Sequence, residues 1–67
     1  MKTDHVDVSW DDAKGKWLVR IEAGTEVIRR HCNQPRDADE QSLRASAVTT
    51  VTDEGYTVAP DQITVRR

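Results

Sequence analysis

Trp17-Leu18-Val19-Arg20-Ile21-Glu22 alternates large apolar residues with mixed ones. Trp17, Val19 and Ile21 are strong strand formers two apart, so all three share one face, and Leu18, Arg20 and Glu22 share the other. A strand with one buried face needs neighbours, and the sequence on both sides provides them. Upstream, Val6, Val8 and Trp10 alternate with His5, Asp7 and Ser9, the same period. Between the two runs, Asp11-Asp12-Ala13-Lys14-Gly15-Lys16 is polar and contains glycine. It suits a hairpin loop longer than a two-residue turn. Downstream, Ala23-Gly24-Thr25 turns the chain into Glu26-Val27-Ile28-Arg29-Arg30-His31-Cys32, a third strand. Its inward residues are read as Ile28 and Cys32 with Arg30 between them; the other register would turn Val27, Arg29 and His31 inward.

Pro35 breaks the pattern, because proline drives its predecessor out of helical geometry. Beyond it, Asp37 with Glu40 three positions on predicts a helix opened by an Asp37 cap, with Asp39 and Glu40 at the positive end of the dipole. Leu43, Ala47 and Val51 form the inward stripe, with Val48 beside it. Gly55 stands where a left-handed cap is needed, and Tyr56 is expected to pack back on Val51. After the turn Thr57-Val58-Ala59-Pro60-Asp61, residues 62–67 alternate again, with Ile63 and Val65 inward. The expected fold is therefore α+β in the order β-β-β-α-β. It is an antiparallel meander with one helix packed on one face and a C-terminal strand. If the helix carries the chain back along the sheet, that strand runs parallel to the first and third, and the sequence does not decide whether it pairs beside the first.

At 67 residues the chain holds one small domain with one thin core. Natural chains of this size usually carry a staple. Cys32 is the sole cysteine, so no intramolecular disulfide forms, and with His5 and His31 it does not make a zinc site. Self-association is one way for such a chain to bury more surface. Residues 1–5 hold no apolar leader segment and no run is long enough to span a bilayer. A soluble, cytoplasmic protein without membrane contact is expected.

The net charge of −2 conceals segregation. Residues 16–36 carry Lys16, Arg20, Arg29, Arg30 and Arg36 against Glu22 and Glu26, while residues 37–61 carry Arg44 alone against six carboxylates. Middle and tail are basic; the helix region is acidic. Arg20, Arg29, Arg30, Arg66 and Arg67 are the candidate contacts to a partner. Catalytic chemistry needs titratable groups converging in a dry cleft. His5 and Asp7 share the polar face of the first strand, but an open sheet face has no cleft. Cys32 has Arg30 and His31 beside it in sequence, yet alternation sends His31 to the other face. Gly15, Gly24 and Gly55 are isolated and form no phosphate loop. No catalytic residue, metal, cofactor or small-molecule substrate is assigned, and the chain is read as a non-enzyme.

The W-x-V-x-I strand at Trp17 to Ile21, with the glycine turn, third strand and alanine-containing helix after it, resembles two kinds of small domain over residues 5–55. One is a group of short bacterial and archaeal sheet-plus-helix proteins of unknown function. The other is the arm-binding domain of tyrosine recombinases, and that resemblance implies DNA contact through the sheet. The reading from the residues is an interaction module that binds a protein partner, or itself, through a sheet face or edge. The alternative is nucleic-acid binding through the arginines, which predicts salt-sensitive affinity.

Overall fold

A computed structural model describes residues 2–66. Four strands and one helix follow the order read from the sequence: β1 (His5–Asp11), β2 (Lys16–Ala23), β3 (Glu26–Cys32), α1 (Glu40–Asp53) and β4 (Ile63–Arg66). They form one sheet in the order β3-β2-β1-β4. β1 to β3 are an antiparallel meander, and β4 lies parallel to β1 with Val6 opposite Ile63 and Val8 opposite Val65. The long crossover through α1 is what a parallel return requires.

One face of the sheet is apolar and covered. Val6, Val8, Trp17, Val19 and Ile21 from the sheet and Leu43, Ala47 and Val51 from the helix are fully buried, with Ile63 nearly so. Trp17 is the largest of these. Its indole N–H donates to the Pro35 carbonyl oxygen at 2.8 Å, which satisfies the one polar atom that burial would otherwise leave unpaired. Trp10 meets Trp17 edge to face, with centroids 5.4 Å apart. The Arg36 guanidinium lies 5.1 Å from the Trp10 centroid and 5.8 Å from that of Trp17. It closes this end of the core with a cation held against both rings.

The register of β3 is the one favoured by the sequence. Ile28 lies opposite Ile21 and Cys32 opposite Trp17, so both face the helix layer and pack on the core. Arg30, opposite Val19, is on that side too. Both turns match their sequences. Asp12 to Gly15 make the longer loop, in which Asp11 accepts bonds from the Ala13 and Lys14 backbone N–H groups. Gly24, at φ 62°, takes the left-handed position in the short β2–β3 turn.

The helix start needs correction. Asp39 is the cap, not Asp37: its carboxylate accepts from the Ser42 backbone N–H at 3.3 Å. The reason lies in the preceding turn. The Ala38 N–H donates to the Pro35 carbonyl, and this turn tucks Ala38 into the core at 8 % exposure. Regular helix then begins two residues later than the Asp37 reading expects. The helix end is as expected. Gly55 has φ 88°, its N–H donates to the Thr52 carbonyl, and the Tyr56 N–H donates to that of Val51. That double bond pattern defines a Schellman ending. A short 3₁₀ turn, Pro60–Gln62, leads into β4, which therefore begins at Ile63 and not at Gln62.

Candidate interaction surface

Because strands alternate, the residues left over from the core line the uncovered face of the sheet. Arg20 of β2 stands beside Asp7 on one side and Arg29 on the other, and Thr64 follows Asp7 on β4. The next row is Arg66, Ser9, Leu18 and His31. Asp7 sits at the middle of this face and is only 7 % exposed. Its carboxylate lies 2.8 Å from His5 Nε2, 3.9 Å from the Arg20 guanidinium and 3.7 Å from that of Arg66. Arg20 also reaches Glu22 at 3.3 Å. Both oxygens of Asp7 thus look at donors of the same molecule, and the cluster ties β4, β1 and β2 together on the side away from the core. The pairing of His5 with Asp7 follows from their i, i+2 spacing on one strand face. Arg66 joining them does not, since it needs β4 to lie beside β1.

A second pair caps the same face near the β1–β2 loop. His31 Nε2 lies 3.0 Å from Asp11 Oδ2. That hydrogen bond is the largest of several influences that hold the Asp11 carboxyl below its ordinary range, with the Lys14 and Ala13 N–H groups assisting.

The candidate arginines are divided by the fold. Arg20, Arg29 and Arg66 are on the uncovered face, and Arg67 lies outside the described residues. Arg30 is on the helix side, where its guanidinium is 2.6 Å from Glu54 at the end of α1. Among the described residues no continuous patch of arginines forms: Asp7, Glu22 and Asp11 are interspersed on the same face, and Arg20 and Arg66 are engaged with Asp7 and Glu22. A field of mixed sign attracts phosphate far less than a stripe of one sign.

β3 forms one border of the sheet, with β2 on its inner side. The turn residues Gly24 and Thr25 leave Ala23 opposite Glu26, the hydrogen-bonded pair that flanks a two-residue turn. Pairs of that kind alternate along the ladder. Val27, Arg29 and His31 therefore direct their backbone N–H and C=O groups away from β2. The Arg29 carbonyl accepts a bond from the guanidinium of Arg30, its own neighbour, at 2.9 Å. Val27 is 41 % exposed, the large apolar residue left uncovered among those described. On the helix side of the same edge, the Tyr56 hydroxyl donates to Glu26 at 3.2 Å. That bond, with the charges of Glu26 and Glu54, pushes the Tyr56 hydroxyl above its usual range. The opposite border, β4, offers only four residues.

Between β3 and α1 runs a shallow groove lined by Cys32, Gln34, Ser46 and Thr50, bridged where Gln34 donates to the Ser46 hydroxyl at 2.7 Å. Burial at its floor pushes the Cys32 thiol up, away from the reactive thiolate. Among the described residues no group of three or more His, Cys, Asp or Glu side chains is placed to hold a metal ion. No described helix is long and apolar enough to cross a membrane. Compared with protein-family models, with curated proteins and with solved structures, the chain matches none.

Proposed function

We propose that this protein is a small interaction module that docks a protein strand along the outer edge of β3. The observation that carries this reading is the edge itself. It is seven residues long, presents the outward backbone groups of Val27, Arg29 and His31, and has Val27 uncovered beside them. Strand addition takes its affinity from main-chain hydrogen bonds and its selectivity from alternate side chains, and such an edge offers both. The uncovered sheet face supports the same reading less directly, because its charges are already engaged within the molecule. The Arg29 side chain, which makes no ion pair among those described, extends that face to the border.

A photoreactive amino acid at position 27, compared with one at position 61 on the far side of the fold, tests the reading in cells. Cross-linked protein adducts at position 27 and none at position 61 are expected, and they should vanish when Arg29→Pro is added. That substitution removes an outward N–H that β2 does not use, a position where an edge strand tolerates proline. Equal adducts at both positions, or adducts indifferent to Arg29→Pro, would sink the proposal. Salt-sensitive shifts of Arg20, Arg29 and Arg66 on adding an oligonucleotide would transfer the function to nucleic-acid binding.

A further inference from the structure

Resting on that reading, we infer that the strand docked on β3 is β3 of a second copy, paired antiparallel about a two-fold axis at Ile28. Two copies of one strand can meet in few registers. The outward backbone groups belong to Val27, Arg29 and His31, so only registers that match odd-numbered residues with one another close hydrogen bonds. Centring the axis on Arg29 sets that guanidinium against its own copy and places Ile28 opposite Arg30. Centring it on Arg30 repeats the like-charge contact one residue on and sets Arg29 against His31. Centring it on Val27 joins two valines and leaves Ile28 opposite Glu26. Each of these wastes or opposes charge.

The register about Ile28 does neither. Glu26 falls opposite the partner's Arg30, and Arg30 opposite the partner's Glu26, so two opposite-charge pairs form. Between them Ile28 meets the partner's Ile28, in the class of pair that brings side chains closest. On the other face the exposed Val27 lies beneath the aliphatic stem of the partner's Arg29, and the reverse holds by symmetry. Backbone bonds close between Val27 and the partner's Arg29 and, at the ends, between Thr25 and the partner's His31. The Arg29 carbonyl already accepts from the Arg30 guanidinium at 2.9 Å and takes the new bond on its second lone pair.

The ionic residues are already held in place. Tyr56 holds Glu26 at 3.2 Å and Glu54 holds Arg30 at 2.6 Å. Pairing would link Tyr56, Glu26, the partner's Arg30 and the partner's Glu54 into one chain across the join, twice. Charges placed merely to blunt an edge need no such symmetry; here Glu26 and Arg30 stand equally far from Ile28 with opposite signs. Joining the sheets makes one of eight strands with both helices on one side. A single strand pair is a small contact, at the weak end of specific interfaces, below roughly 1,200 Å², so a dissociating dimer is expected.

Sedimentation of the purified full chain over a concentration series up to millimolar tests this. The wild-type chain should dimerise reversibly. Glu26→Arg and Arg30→Glu should each dimerise about tenfold more weakly or worse, because each places like charges opposite twice. An equimolar mixture of the two should recover the association, since every 26–30 contact in the mixed dimer is again of opposite sign. Amide spectra of each variant alone establish that it folds; if Arg30→Glu does not, Arg30→Gln with Arg29→Pro replaces it, both expected to weaken or abolish the dimer. A wild-type chain that stays monomeric, a dimer that survives Arg29→Pro, or a mixture no stronger than its components overturns the inference. A monomer that still gives position-27 adducts to other proteins in cells overturns self-pairing alone; absence of those adducts removes the edge-docking reading as well.

Discussion

Trp17 shows how much a single side chain carries in a chain this short. It is fully buried between sheet and helix, edge-on to Trp10, with its N–H spent on Pro35. Trp17→Ala should cost about 3–5 kcal/mol in urea or thermal unfolding, the order of the whole stability of a small domain. Its loss of folded signal would be general and not confined to one surface. His31 acts in the opposite way, at the surface and through a hydrogen bond. Because its hydrogen bond lowers the folded carboxyl of Asp11, the contribution is present at neutral pH and is lost as pH falls through the lowered value. With His31→Ala, Asp11 should titrate nearer its ordinary value of 3.8, as read by side-chain NMR. An unmoved titration would assign the shift to the Ala13 and Lys14 N–H groups instead.

At the scale of elements, the helix is held more by its ends and its stripe than by its composition. Three threonines in the last turns are weak helix formers, and the hydroxyls of Thr49 and Thr50 bond back to the carbonyls of Ala45 and Ser46. The caps offset this. Asp39→Ala should destabilise the fold by about 1 kcal/mol in thermal melts, whereas Asp37→Ala should leave the melting curve nearly where it was. Equal effects would contradict the placement of the cap. Both residues are three positions before a residue able to complete a cap motif, Glu40 or Ser42, so local pattern alone does not separate them. The burial of Ala38 does, because it fixes where the chain leaves the Pro35 turn.

For the whole molecule, stability and association are expected to be one quantity. A partner that binds only the folded form raises the melting temperature with concentration. The melting temperature of the wild-type chain should therefore climb as protein concentration rises, and that of Arg29→Pro should not. A wild-type curve independent of concentration would argue for a domain whose single core suffices. The two sheet borders differ in what they offer. β4 is short and tied to β1 by the Asp7 cluster, while β3 presents seven residues and an uncovered valine.

The strands, the core stripe of Leu43, Ala47 and Val51, and the Gly55 ending were legible in residues 5–67, because alternation, helical spacing and the need for a left-handed residue are properties of local sequence. The inward register of β3 was not fixed by local sequence, because Ile28 and Cys32 share their face with Glu26 and Arg30 while Val27 favours the other; the pairing of Ile28 with Ile21 and of Cys32 with Trp17 decides it. That same alternation separates Arg29 from Arg30, so one arginine patch on one face was never available to both. What local sequence does not encode is which strands become neighbours. Arg66 meets Asp7 only because β4 pairs with β1, Arg30 meets Glu54 only because the helix ends over β3, and β3 becomes a border only because the crossover passes over β2 and β1. Side-chain period is set within a few residues of chain, whereas edges and charge partners are set by contacts between segments far apart, and those arise only when the sheet closes around its core.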